Sequence, residues 1–160
     1  MVATTMVSIS SLVSQLKADY PQFRFVPGGD FHWHPDTATI TYRSGRAHAA
    51  ELLHELAHAC ADHRDFSRDI HLLEMERDAW RIAQAELAPH YGVPVSNDAV
   101  AQALDTYRDW LHARSLCPHC GATGIQSGRS HYRCLACLAT WRVNDARHCA
   151  LRRYTTKNPA

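Results

Sequence analysis

Residues 46–62, RAHAAELLHELAHACAD, decide how this chain of 160 residues is interpreted. The segment follows a Ser-Gly pair that can cap a helix, and its leucines can pack in a core on one flank, so a helix is predicted. His54 and His58 are four residues apart, which places both imidazoles on one helical face among alanines that leave room for a zinc ion. Glu55 is then placed to accept a proton from a zinc-bound water. The His-Glu-x-x-His motif therefore predicts a catalytic metal site rather than a chance pattern on a surface helix.

A catalytic zinc ion usually takes three protein ligands and one water, so a third ligand is expected. The extended motif that supplies a third histidine needs glycine at position 61 and histidine at position 64, where the sequence has Ala61 and Arg64. His63 lies about 140° from His58 by helical periodicity and is a poor candidate. The third ligand must therefore come from another element.

The next long helix, predicted over residues 67–90, offers three candidates, His71, Glu74 and Glu76. Glu76 interrupts an otherwise apolar helical stripe, which consists of Leu73, Glu76, Trp80, Ala83 and Leu87. A carboxylate on a core-facing stripe is costly to bury unless it is paired or bound to a metal. His71 and Glu74 lie on the charged face of the same helix. We therefore expect Glu76 to be the third ligand; the alternative is that Glu76 reaches the helix edge and pairs with an arginine.

Residues 38–80 resemble the ImmA/IrrE-type metallopeptidases, whose pattern is a strand, a His-Glu-Leu-x-His helix and a helix with Glu-x-Glu-Ala-x-x-Phe-Ala. The corresponding segments here are residues 38–42, 54–58 and 74–80. The resemblance implies a gluzincin-like zinc peptidase in which Glu76 is the third zinc ligand and Trp80 takes the place of the family's aromatic residue. Arg77 departs from the pattern, because the family prefers alanine there. Substrates in that family are often regulatory proteins.

Short segments of strand-like alternation and several helical patterns predict an α+β fold for residues 1–114. The strand-like segments lie near residues 23–25, 31–33 and 38–42, and the helices over residues 8–20, 46–62, 67–90 and 96–115. We expect a minimal zincin-like domain, in which a small antiparallel sheet of two or three strands packs on the active-site helix. The edge of the strand that ends at Tyr42 could then bind an extended peptide by strand addition.

Two Cys-x-x-Cys pairs lie in residues 115–160. They are Cys117 with Cys120 and Cys134 with Cys137. Four cysteines with this spacing suit a closed tetrahedral zinc site, and the glycines between the pairs suit a short hairpin. This segment resembles a zinc ribbon with a structural zinc ion. A redox dithiol is the alternative, but such a motif would not be expected twice.

Charge is distributed unevenly along the chain, although the formal net charge is only +1. Residues 1–112 carry 9 Lys+Arg against 15 Asp+Glu, whereas residues 113–160 carry 8 against 1. The basic segment has arginines around two aromatic residues, namely Arg129, Arg133, Arg142, Arg147, Arg152 and Arg153 around Tyr132 and Trp141. One interpretation is that this segment binds nucleic acid through phosphate contacts and base stacking. The favoured interpretation is a zinc-stabilised module with a solvated basic surface.

Composition and the N-terminal residues limit the class of protein. With 46% hydrophobic and 21% charged residues, the chain has the composition of an ordinary globular protein. No run of 18 or more apolar residues occurs, so no membrane partner is expected. No basic region precedes the first apolar residues, which argues against a secretory signal and favours the cytoplasm.

These patterns together lead us to expect a zinc metallopeptidase that hydrolyses a protein or peptide substrate, with one catalytic and one structural zinc ion. One rival is a SprT-like protease acting on DNA-bound proteins, a family that also pairs a His-Glu-x-x-His helix with a zinc ribbon. That family would need His71 as third ligand, and its Gly-His-Gly context is absent here. The other rival is a non-catalytic, nucleic-acid-binding or regulatory zinc protein.

Overall fold

The first helix begins at a serine cap. In the computed structural model, which describes residues 8–45, 48–145 and 150–155, Ser8 Oγ accepts a hydrogen bond from the backbone N–H of Ser11 at 3.2 Å, and α1 is Ile9–Asp19. The side chains at the predicted helical spacing are buried; they are Ile9, Leu12, Val13 and Leu16. Arg147 of the basic segment lies outside the described residues.

A three-stranded sheet follows α1, with β1 at Arg24–Pro27, β2 at His32–His34 and β3 at Thr39–Tyr42. The strand order is β1-β3-β2. The β2–β3 pair is antiparallel, because a tight turn with a left-handed Ala38 joins the two strands. The β1–β3 pair is parallel, so the prediction of an antiparallel sheet is wrong for this pair. β3 is the central strand and both of its edges are paired, which also overturns the predicted peptide-binding edge at Tyr42.

The helix with the His-Glu-x-x-His motif, α2, is Ala49–Cys60. Its three predicted core leucines are completely buried, namely Leu52, Leu53 and Leu56. After α2 the chain turns at Asp62, which has a left-handed backbone with φ 51°. The backbone N–H of Asp62 donates to Ala59 O at 3.1 Å, and that of His63 donates to His58 O at 3.0 Å. These two bonds form a Schellman motif, which ends the helix and folds the chain back on its last turn.

The second long helix is α3, Asp69–Ile82. It continues through a π-helical turn at Ala83–Leu87 into the short α4, Ala88–Tyr91, and ends at Gly92, which has φ 65°. The end of this helical stretch therefore agrees with the predicted helix over residues 67–90. The last helix, α5, is Asn97–Ser115. None of the helices within the described part of the chain has both the length and the apolar character that crossing a bilayer requires.

The cysteine-rich segment forms a four-stranded antiparallel sheet in the order β4-β5-β6-β7. The strands are β4 at Gly124–Gly128, β5 at His131–Cys134, β6 at Thr140–Val143 and β7 at Arg153–Thr155. The β4–β5 pair is the predicted hairpin. One face of the sheet forms a small core with Cys117, and its members are Tyr132, Cys134, Trp141 and Val143. Tyr132 and Trp141 therefore belong to a core, so neither ring is exposed for the base stacking that the nucleic-acid interpretation of the sequence included.

The chain divides into two compact units. The first is Met1–Asp65 with Met75–Val100, and the second is Phe66–Glu74 with Ala101–Ala160. The domain boundary expected from the sequence, between residues 114 and 115, stays a prediction. Both units contain helices and a sheet, so the predicted α+β fold class is confirmed.

Asp69, at the start of α3, explains why residues 66–74 group with the second unit. Its carboxylate accepts a hydrogen bond from Tyr132 Oη and lies 3.8 Å from Arg114 Nη2. Its backbone N–H donates to Gln126 Oε1 at 2.8 Å. Arg114 is 1% exposed and belongs to α5, so the end of α5 is part of the same packing.

Candidate metal centres

The first candidate metal centre, called here the histidine site, joins α2 to α3. Glu76 Oε2 lies 3.0 Å from His54 Nε2 and 3.5 Å from His58 Nε2, and the two Nε2 atoms are 3.1 Å apart. The three side chains are buried. In a tetrahedral zinc site the ligand nitrogens and oxygens lie about 2.1 Å from the ion and therefore about 3.4 Å from one another. The three donor atoms thus have the spacing and the chemistry of a zinc centre.

The structure brings Glu76, and not His71, to the two histidines. Glu76 is buried on the stripe that the sequence identified, beside the buried Trp80. His71 is exposed, and its Nδ1 lies 3.3 Å from Ser67 Oγ. Glu74 is exposed as well. The helical stripe therefore separated the carboxylate that converges on the histidines from the neighbouring surface residues.

The charges in the histidine site depend on one another. Burial alone would raise the pKa of Glu76, but hydrogen bonds with His54 and His58 outweigh it and hold that pKa below its usual range. Burial lowers the pKa of His54, against the hydrogen bond to Glu76. For His58, burial also acts to lower the pKa, but the hydrogen bond and the charge of Glu76 raise it overall. A negative Glu76 between two imidazoles is a donor set suited to a divalent cation.

Glu55, the predicted general base, is partly buried on α2. Burial raises the pKa of its carboxyl to about 7, while the charge of His58 acts to lower it. The backbone N–H of Trp33, on β2, donates to this carboxylate. Strand β2 therefore contributes a direct contact to the candidate general base.

The second candidate centre, called here the cysteine site, contains all four predicted cysteines. These are Cys117, Cys120, Cys134 and Cys137, and their sulfurs lie within 4.8 Å of one another. Two sulfur pairs are 3.7 Å and 3.5 Å apart. Four thiolates at 2.3 Å from a tetrahedral zinc ion would be about 3.8 Å apart. None of the described cysteines forms a disulfide, so the cluster is compatible with a zinc ribbon.

Both Cys-x-x-Cys turns of the cysteine site have the same backbone. The residue after the second cysteine is left-handed, and its N–H donates to the carbonyl of the first cysteine: Gly121 to Cys117 at 2.9 Å and Leu138 to Cys134 at 3.1 Å. Within the second turn the backbone N–H of Cys137 donates to Cys134 Sγ at 3.4 Å. This bond is the main reason why the pKa of Cys134 is lowered to about 6. The thiolate form of Cys134 is therefore favoured.

No protein-family model, curated protein or solved structure matches this chain. The resemblance to the ImmA/IrrE-type metallopeptidases therefore rests on the motif residues within residues 38–80.

His63 is the site residue that helical periodicity missed. Its Nδ1 lies 2.9 Å from Nδ1 of His58, on the side of that ring opposite to Nε2. The periodicity argument assumed that the helix continues past residue 62, whereas it ends at Cys60 and the Schellman motif returns the chain. The aspartate at position 62 was the signal available in the sequence, since Asp and Asn adopt the left-handed conformation more readily than most residues.

Trp80 packs against His54, the first histidine of the motif. Its ring stacks on the ring of His54 with centroids 4.2 Å apart and 23° between the planes. Within the described part of the chain, neither His54 Nδ1 nor Trp80 Nε1 has a hydrogen-bond partner. On its Nδ1 side, His54 is therefore held by packing, whereas its Nε2 faces Glu76.

Proposed function

We propose that this protein is a zinc-dependent peptidase of ImmA/IrrE type, acting on a protein substrate. The observation that carries the proposal is the convergence of one atom from each of His54, His58 and Glu76, with Glu55 next to the first of them on α2. On the basis of the same residues, the proposal includes a zincin-like fold for the first unit. The α+β architecture and the position of the motif on a helix support it.

The proposed mechanism assigns a role to each polar group of the histidine site. His54, His58 and Glu76 hold the ion. When bound, zinc supplies a Lewis acid that lowers the pKa of water and polarises a carbonyl group. Glu55 accepts the proton of the attacking water and then donates it to the leaving amine. Its pKa of about 7 without metal lies near neutral pH, which suits a group that both accepts and donates a proton.

The decisive experiment is cleavage of a randomised peptide library, with new termini detected by mass spectrometry. We expect zinc-dependent cleavage by the wild-type protein and none by Glu55→Gln, although that variant keeps its zinc. Glu51→Gln is a matched control, because Glu51 lies one turn earlier on α2 and pairs with His48 at 3.8 Å. Cleavage retained by Glu55→Gln, or absent from wild type with a filled histidine site, would contradict the proposal.

A structural zinc ion in the cysteine site, as in a zinc ribbon, is the second part of the proposal. The paired turns and the sulfur spacing support it. Elemental analysis of protein purified without added metal is expected to give about two zinc ions per chain. A value near one that survives mild chelation would leave the cysteine site filled and count against the histidine site.

The SprT-like alternative receives no support from the site geometry, because it needs His71. The convergent group contains Glu76 instead, and His71 is exposed. Loss of zinc after His71→Ala would restore that alternative.

Nucleic-acid binding is a second candidate function, favoured by the solvent-facing side of the second sheet. His131, Arg142 and Tyr154 are opposite one another across β5, β6 and β7 and are all exposed. The Arg142 guanidinium lies 5.1 Å from the centre of the Tyr154 ring. A cation beside an exposed aromatic ring suits a phosphate next to a stacked base in single-stranded nucleic acid.

Fluorescence anisotropy with a labelled single-stranded oligonucleotide tests this second candidate. Binding is expected to weaken steeply with salt and to fall in Arg142→Gln, whereas Arg108→Gln, which alters an exposed arginine paired with Asp105 at 2.7 Å, is the control. Binding that is equal in both variants would count against this surface.

A further inference from the structure

We infer that His63 is a positioning residue for the metal ligand His58, acting through a hydrogen bond between their Nδ1 atoms; this inference rests on the proposed zinc site. His63 follows α2 and is not one of the three convergent donors. Its Nδ1 lies 2.9 Å from Nδ1 of His58. The contact involves the ring nitrogen that His58 does not direct toward Glu76 and His54.

The direction of the hydrogen bond follows from the site. His58 uses Nε2 in the convergent group, so a neutral, metal-binding His58 carries its proton on Nδ1 and donates it. Nδ1 of His63 is therefore the acceptor, and the proton of His63 is on Nε2. That Nε2 faces the Asp78 carboxylate, with Oδ2 3.6 Å away. The result is a line of polar groups from Asp78 through His63 to His58.

Local structure holds His63 in this position independently of any metal. Its backbone N–H donates to His58 O in the Schellman motif, and its carbonyl accepts the Trp33 indole N–H at 2.9 Å. Its side chain is only 13% exposed. A largely buried ring on a backbone that two hydrogen bonds hold in place is suited to orient a neighbour, because little additional entropy is lost when the metal binds.

Asp78 belongs to the same helix as Glu76 and is two residues further along. Its other oxygen, Oδ1, accepts hydrogen bonds from Arg81 at 3.0 and 3.1 Å, which fixes the carboxylate. Helix α3 therefore supplies one ligand directly and supports another through His63. Partners of this kind commonly change metal affinity about 10- to 100-fold when they are removed.

A zinc titration against a competing chelator, which measures affinity at the histidine site without any substrate, tests the inference. His63→Leu removes the acceptor and is expected to weaken zinc binding about 10- to 100-fold. His63→Asn places an amide oxygen near the position of Nδ1 and is expected to restore most of the affinity. His90→Ala, an exposed histidine in the same unit, is expected to bind zinc as the wild type does.

The outcomes separate this inference from the proposed function. If the wild type binds no zinc at the histidine site, the proposed function fails. If the wild type binds and His63→Leu binds equally well, or His63→Asn is as weak as His63→Leu, only the positioning role is overturned.

Asp78→Asn provides a test that does not alter the end of α2. It is expected to weaken zinc binding several-fold. Glu86→Gln is its control, because Glu86 is an exposed carboxylate that shares Arg81 with Asp78. Equal affinities in these two variants would overturn the contribution of Asp78.

Discussion

Leu138 has the same left-handed backbone as Gly121, with φ of 62° against 75°, at the equivalent position of the other cysteine turn. A side chain in this conformation brings Cβ close to the following carbonyl and costs about 1–2 kcal/mol. Glycine avoids this cost but loses more backbone freedom on folding, by about 0.5–1 kcal/mol. The second turn is therefore formed at a conformational cost that the first turn does not have.

Leu138→Gly is expected to stabilise the zinc-loaded second unit by about 0.5–1 kcal/mol, since Leu138 is 55% exposed and contributes little buried surface. Gly121→Ala is expected to destabilise it by about 1 kcal/mol, because no atom within 4 Å obstructs the new methyl group and only the backbone strain changes. Urea unfolding measures both. Destabilisation by Leu138→Gly would mean that the leucine side chain outweighs the strain.

Gly124 is expected to tolerate no side chain. A Cβ there would overlap the Trp141 ring and lie 2.9 Å from the carbonyl oxygen of Arg133, so Gly124→Ala should lower the free energy of unfolding by about 1–3 kcal/mol. Gly128 is on the same strand, and a Cβ there would meet only His131 atoms at 3.6 Å and beyond. Gly128→Ala is therefore the matched control, and denaturant unfolding compares the two. Equal effects would show that the Trp141 ring can move aside.

Glu76→Gln is expected to lower the zinc content from about two ions per chain to about one. The amide lacks the negative charge that the buried site supplies, whereas the cysteine site is unchanged. His71→Ala should keep both ions, because His71 is exposed and outside the convergent group. Elemental analysis after mild chelation distinguishes these results. Retention of both ions by Glu76→Gln would show that the carboxylate is not a ligand.

Stability of the protein without metal in the histidine site should depend on pH through Glu55. The pKa of this carboxyl is raised from 4.5 to about 7, mainly by burial. Between these values the folded state holds a proton that the unfolded state has lost, so stability falls as the pH rises from 4.5 to 7. Glu55→Gln removes the effect and should raise the free energy of unfolding by about 1–3 kcal/mol at pH 8.

The same comparison at pH 5 should show little difference between Glu55→Gln and wild type, because Glu55 is then largely protonated in the folded state. Urea unfolding of the two proteins at both pH values is the measurement, with Glu51→Gln as a control for the loss of a carboxylate from α2. An advantage of equal size at pH 5 and pH 8 would assign the effect to packing instead of to ionisation.

Sequence periodicity was sufficient where one regular element determined the geometry. A spacing of four residues placed His54 and His58 together, and the apolar stripe of α3 distinguished Glu76 from Glu74. The two Cys-x-x-Cys pairs likewise specified four converging sulfurs. In these cases the face of the helix or turn on which each residue lies is set locally, so that a local pattern contains that information.

The same reasoning failed where the chain leaves a regular element. His63 was assigned by counting around a helix that has already ended at Cys60. Strand β1 pairs in parallel with the edge of β3 that β2 leaves open. Alternation of apolar and polar residues within a strand does not determine which neighbour that strand pairs with. The grouping of residues 66–74 with the second unit depends on contacts of Asp69 with residues more than forty positions later.

Because the second unit consists of two separate stretches, the order of synthesis on the ribosome constrains how it forms. Residues 66–74 emerge before Arg114 and Tyr132, the groups that contact Asp69. The first unit requires the chain only as far as Val100. Once α3 has been synthesised, its half with Glu76 can pack within the first unit. Its end with Asp69 has no partner until Arg114 and Tyr132 have been synthesised. We expect folding during translation to proceed from the histidine site toward the cysteine site, with the beginning of α3 among the last segments to be secured.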